Sequence, residues 1–165
     1  MPNIHHVLSD KNFVLIHSPG DGHCLFHSFV SSWNAQVKLP TLTVEEVLTS
    51  VSSEWDTNKA GYLPFIDTSE LSAVLQWEQY IFQKHYNIPL GDAFPHILAN
   101  AFKVDLNILN ELSPDTCETI LTGSTSSVKL YLHRVNDNHY NGIGPCPIRI
   151  LLEHQNFFHW RTLMH

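Results

Sequence analysis

Cysteine is scarce in this chain: Cys24, Cys117 and Cys146 are three among 165 residues, odd in number and widely spaced. That excludes a disulfide framework and leaves reduced thiols as the expectation. Charge is scarce too, at 15% of residues against 43% hydrophobic, which excludes a disordered or solvating acidic tail. Basic residues are the rarer sign. Nine Lys and Arg against sixteen Asp and Glu leave a formal charge of −7. Such a surface repels phosphate backbones, so no nucleic-acid partner is expected and a basic protein partner fits better. No apolar run approaches the roughly 18–20 residues that cross a bilayer, so no membrane role is expected. The opening MPNIHHVLSDKNF lacks the basic-then-apolar order of a signal peptide. The expected setting is therefore cytoplasmic and reducing. Repeats, low-complexity tracts and linkers are absent as well, so residues 1–165 are expected to form one domain.

Histidine, by contrast, is abundant, with 12 copies. Hydrophobic periodicity sorts the rest of the chain. NFVLIHS (12–18) reads as a strand ended by the turn signal PGDG. From Cys24 to about Gln36, apolar residues recur at spacings of three and four, which predicts a helix. Thr43 and Glu46 predict a capping box for a second helix with Val44, Val47, Leu48, Val51 and Trp55 inward. NKAGYLPFID reads as a loop. A third helix is predicted over 69–86 with Leu71, Val74, Leu75, Ile81 and Phe82 inward. Asp92 is the expected N-cap of a fourth, ending near Phe102, with Pro95 in its first turn. Period-two alternation then predicts strands at 104–110, 117–122, 128–134, 139–143 and 147–153. The closing HQNFFHWRTLMH fits a last strand or a packed tail equally. Helices first and strands later imply an α+β domain with an antiparallel or mixed sheet.

Cys24 follows a glycine-containing turn and opens a helix. Backbone N–H groups point at that position and the helix dipole favours a thiolate there. Papain-like proteases use this arrangement beside a histidine from a distant strand. Asp21 and Gly22 sit where a loop could present N–H groups to an oxyanion. Among the histidines, His139 follows a turn (136–138) and enters a short strand. Side chains at i and i+2 share a face, so Asn141 can accept a hydrogen bond from the His139 ring and fix its tautomer. His-x-Asn alone fits an ordinary strand end; with the Cys24 loop it makes a Cys–His–Asn triad.

These blocks resemble a known family. The run from Pro19 to Ser28 is similar to the Asp-Gly-x-Cys-(Leu/Phe)-(Phe/Tyr)-x-Ser block of the ovarian tumour (OTU) cysteine proteases, and His139-Tyr140-Asn141 to their His-Tyr-(Asn/Asp) block. The segment from Leu90 to Ala99 and the strand after it resemble the family's middle section. His23, His27 and Leu90 stand where the family often carries asparagine, arginine and tryptophan.

The resemblance implies a papain-like OTU fold, with helices around a small mixed or antiparallel sheet. It also implies an isopeptidase that removes ubiquitin, or a ubiquitin-like modifier, from lysine through a thioester. Cys24 would be the nucleophile, His139 the general base and Asn141 its orienting partner. Asp21 would support an oxyanion loop of Asp21, Gly22, His23 and Cys24. No metal or organic cofactor is implied. The partners would be ubiquitin, polyubiquitin or a ubiquitin-like modifier, met by a monomer. Three other readings compete. A zinc site could draw on Cys24, His27, His133, His139, His154 and His159, but only one short ligand pair has standard spacing. The others are a polyprotein-processing cysteine protease and an inactive ubiquitin-binding module. Cys117 and Cys146 read as structural.

Overall fold

A computed structural model describes residues 3–86, 88–111, 117–122, 128–136 and 138–146. The element order is α1 (Ile4–Asp10), β1 (Phe13–Ile16), α2 (Cys24–Gln36), α3 (Val44–Tyr62), a 3-10 turn (Leu63–Phe65), α4 (Glu70–Gln83), α5 (Ile88–Gly91), α6 (Phe94–Phe102), β2 (Val104–Asn110), β3 (Cys117–Ile120), β4 (Val128–Val135) and β5 (His139–Pro145). The strands form one sheet in the order β1-β5-β4-β2-β3. β2 and β4 run parallel and every other pairing is antiparallel, so of the two expected sheet types it is the mixed one.

Strand alternation divides the core between the two sheet faces. Leu106, Ile108, Leu130, Leu132 and Tyr140 point to one face, where they join Phe26, Phe29, Trp55, Trp77 and Phe94 from the helices. Leu109 and Ile143 point to the other, against Ile4 and Leu8 of α1. Helix α2 lies close on β5. A Cβ on Gly142 would come 2.9 Å from Ser31 Cβ, so glycine is what lets the helix approach. With Gly142 turned toward α2, Asn141 and Ile143 turn to the opposite face, beside His133 and helix α1. Gln36 ties the far end of α2 to the sheet, its amide donating to the carbonyls of Tyr131 and Ile143.

Several expectations are corrected. Helix α1 has no counterpart among them; Asn3 caps it by accepting from the His6 N–H. The supposed loop NKAGYLPFID is largely helix, because α3 continues to Tyr62 before the 3-10 turn. Its N-terminus is as expected, with both halves of the Thr43–Glu46 capping box formed.

Helix α4 ends at Gln83 rather than 86, since Lys84 adopts a left-handed conformation (φ 57°). Its face is rotated from the expected one. Leu71, Leu75 and Phe82 are exposed, Val74 is half-buried, and the inward face is Ala73, Trp77, Tyr80 and Ile81. Aromatic stacking decides this: Trp77 stacks on Trp55 (4.6 Å, 7°) and on Phe94 (5.2 Å), while Tyr80 lies 4.2 Å from Phe94. These rings bury more apolar area than the aliphatic stripe would.

Asp92 does not cap α6. That helix starts after Ala93 with no side-chain cap, and Asp92 is exposed, 4.0 Å from Arg134. Strand β3 stops at Ile120, two residues early, and Thr122 instead donates its N–H to Asp105. The expected strand 147–153 and the HQNFFHWRTLMH segment lie outside the described residues.

Candidate active site

The turn at 19–22 ends in Gly22, whose φ is +90° and whose position would put a Cβ 2.0 Å from the Lys84 carbonyl oxygen. Only glycine fits that combination of left-handed backbone and close approach. The turn therefore rests on the C-terminal end of α4. His23 anchors the same contact from inside: its ring is buried, lies edge-on to Phe26 and Tyr80, and donates from Nε2 to the Tyr80 carbonyl at 2.6 Å. Burial pushes the His23 pKa down, so the ring stays neutral.

Asp21 gathers three donors. One carboxylate oxygen accepts from the His23 N–H (2.9 Å), the other from His27 Nε2 (3.0 Å) and Lys84 Nζ (3.2 Å). Partial burial opposes ionisation, but these hydrogen bonds win and hold the carboxyl well below the usual range. The aspartate thus ties the turn to His23, His27 and Lys84. It also occupies the His23 N–H, which removes that group from the expected oxyanion set. Gly22 supplies the turn, and the N–H groups of Cys24 and Leu25 precede the first helical bonds, which run from Phe26 and His27 to the His23 carbonyl.

Cys24 is the first residue of α2 and is 5% exposed. Its Sγ donates to the carbonyl of Asn138 at 3.5 Å, across 114 residues of sequence, so the thiol sits against the start of β5. Burial pushes the thiol up; the N–H groups of Tyr140 and Leu25 pull the other way and do not compensate. The helix start alone therefore does not make a resting thiolate here, contrary to expectation. Desolvation outweighs the aligned donors.

His139 is the next residue after Asn138. Its Nε2 lies 3.2 Å from Asn141 Oδ1, the orientation expected from their i, i+2 spacing. Asn141 Oδ1 also accepts the Ser18 N–H at 3.1 Å, which pins the end of β1 to the same amide. With Nε2–H donated to the amide, Nδ1 of His139 is the unprotonated nitrogen. The turn at 19–22 and α2 thus bring Asp21 and Cys24 to the start of β5, where His139 pairs with Asn141.

Two residues beyond the expected set join them. The other side of the Asn141 amide, Nδ2, lies 3.4 Å from Nδ1 of the buried His133, and His133 Nε2 is hydrogen-bonded to the Glu111 carboxylate. In the sequence His133 reads only as a zinc ligand, and Glu111 carries no signal of a role. The strand alternation of β4 places His133 opposite Asn141, but nothing in the spacing names the carboxylate. His27 turns to Asp21 and His133 to Glu111, while His154 and His159 of the zinc reading lie outside the described residues. Among the described residues no group of three or more His, Cys, Asp or Glu could hold a metal ion. Cys117 is exposed on edge strand β3 and Cys146 is half-exposed; both are free thiols.

Comparison with solved structures gives the fold its class. An OTU deubiquitinase from Wolbachia pipientis superposes with a TM-score of 0.61 at 17% identity, covering 82% of this chain and 90% of that one. An OTU deubiquitinase from Wolbachia pipientis bound to ubiquitin gives 0.58 at 16% identity, covering 82% and 98%. The viral OTU domain protease of Taggert virus gives 0.60 at 13% identity, covering 85% and 84%. The chain has the fold of an OTU protease domain. No protein-family model and no curated protein matches the sequence.

Proposed function

We propose that this chain is a cysteine isopeptidase of the OTU type, cleaving between the C-terminal glycine of ubiquitin or a ubiquitin-like modifier and a lysine. The observation that carries the reading is the Cys24 thiol against the residue preceding His139, whose ring is held by Asn141. The solved Wolbachia relative with ubiquitin bound supports the choice of partner.

In this reading His139 Nδ1 takes the Cys24 proton, and the thiolate attacks the glycine carbonyl. The Cys24 N–H at the start of α2 faces the developing oxyanion. His139, now an imidazolium, gives its proton to the leaving lysine amine. Water, deprotonated by the same ring, then hydrolyses the thioester. Because burial holds the thiol up, the sulfur keeps its proton until this transfer. Asn141 keeps the ring in the tautomer that accepts at Nδ1. None of these steps requires a cofactor, and the chain acts as a monomer in the cytoplasm.

The test is a panel of ubiquitin-chain linkages with one ubiquitin-like modifier. Hydrolysis of at least one isopeptide substrate, lost in Cys24→Ala and in His139→Ala, is expected. Cleavage confined to linear peptide substrates would favour a polyprotein-processing protease instead. Binding without turnover would favour a ubiquitin-binding module.

A further inference from the structure

An asparagine has a structural ambiguity that a carboxylate lacks: one side of its amide accepts hydrogen bonds and the other donates. Asn141 serves His139 only if its oxygen faces the ring. Its position on β5 does not decide this, because rotation by half a turn about the last side-chain bond would present the NH2 instead.

The neighbours decide it. Glu111, at the end of β2, accepts from Nε2 of His133. A carboxylate can only accept, so the proton of His133 is on Nε2 and its Nδ1 is a lone-pair acceptor. That acceptor is 3.4 Å from Asn141 Nδ2 and requires the NH2 on its side. The oxygen then faces His139 and the Ser18 N–H, a backbone donor that favours the same orientation from the other side. His139 in turn is required to donate from Nε2, which leaves Nδ1 bare. His133 is 2% exposed, so no bulk water competes for these positions.

We propose that Glu111 and His133 are positioning residues that fix the amide of Asn141, and through it the tautomer of His139. The proposal rests on the reading of His139 as the proton carrier, but the tautomer itself can be observed without substrate. Each bond in the chain sets the donor or acceptor sense of the next, from the exposed Glu111 carboxylate to the ring of His139.

Two measurements test it together. In 15N-resolved NMR of the imidazole rings near neutral pH, wild type should show His133 and His139 both as the Nε2–H tautomer. In His133→Leu, similar in volume but without the acceptor, His139 should become a mixture of tautomers. An unchanged His139 tautomer would overturn the proposal whether or not the chain turns over ubiquitin. If no modifier is cleaved while the tautomers behave as stated, the functional reading fails and the positioning chain stands.

The kinetic arm is a double-mutant cycle with Asn141→Asp, whose two oxygens are equivalent. His133→Leu should lower kcat about tenfold in the asparagine background with KM unchanged, and no more than about threefold in the aspartate background. Equal losses in both backgrounds would mean that His133 matters only for packing, and would overturn the proposal. Should His133→Leu fail to fold, Glu111→Gln at the exposed end keeps the question open to experiment. An amide can donate as well as accept, so it should also release the His133 and His139 tautomers; retention of both would count against the proposal.

Discussion

Asn141 differs from Cys24 and His139 in what its loss removes. The thiol forms the covalent bond and the imidazole moves the proton, so either alanine variant should have no measurable turnover. Asn141→Ala leaves a competent ring without its guide. A kcat lower by about 10- to 100-fold, or roughly 1.4–2.7 kcal/mol of barrier, is expected with KM little changed. Steady-state kinetics on the best substrate of the linkage panel checks it. A silent Asn141→Ala beside an inactive Asp21→Ala would transfer the orienting role to the loop. Gly22 carries a different kind of constraint. Alanine there combines a φ of +90° with a contact of 2.0 Å to the Lys84 carbonyl, so Gly22→Ala should cost at least about 1–3 kcal/mol by denaturant unfolding, and activity with it.

At this scale the sequence revealed residue types and missed partners. The Asp21–Cys24 turn and the His139–Asn141 pair were visible because their members are adjacent in sequence, so local geometry fixes them. The Asp21–Lys84 ion pair and the His133–Glu111 contact span 63 and 22 residues, and only the packed chain brings them together.

Among the elements, α3 and α4 separate what local signals determine from what tertiary packing determines. The capping box of α3 is a four-residue pattern and was legible. Thr43→Ala should cost about 1 kcal/mol, seen as a lower urea midpoint with an unchanged slope. Its far end was misread, because Gly61 and Pro64 signal a break while the chain stays helical through Tyr62. The hydroxyl of that tyrosine donates to Glu54 and accepts from Asn100, and burial together with Glu54 pushes its pKa up to about 12.

In α4 the aliphatic residues suggested one face and the aromatic ones took the other. The two faces should therefore respond oppositely. Leu71→Gln and Phe82→Gln on the exposed side should change stability by no more than about 0.5 kcal/mol, whereas Trp77→Ala should cost about 3–5 kcal/mol. Large losses at Leu71 and Phe82 would restore the original orientation. Strands β2 and β4 were legible to within a residue because alternation is a local signal, while β5 runs two residues further, to Pro145. The sheet order was not, since β3 and β4, consecutive in the chain, pair with opposite edges of β2, which no local signal specifies.

Across the whole molecule, acid should act through buried histidines first. Burial lowers the pKa of both His23 and His133 from the ordinary 6.5. Below about pH 6.5 the unfolded chain takes up protons that these native rings refuse, so stability is full above that pH and falls as the pH drops toward their lowered values. Asp21, depressed below its ordinary 3.8, adds a second loss only under stronger acid. Thermal melts should show Tm nearly level above pH 7 and falling below about 6.5, with part of that slope removed in His133→Leu. A Tm that rises on acidification would contradict the neutral state assigned to both rings.

The central claim is that this fold, with its sheet ordered β1-β5-β4-β2-β3, delivers one reactive thiol to the C-terminus of a modifier. The most direct test is a ubiquitin or ubiquitin-like protein bearing a C-terminal electrophile, with the adduct mapped by peptide mass spectrometry. The account predicts a single adduct on Cys24, absent in Cys24→Ala and weakened in His139→Ala. An adduct on Cys117 or Cys146, or none with any modifier tried, would contradict it.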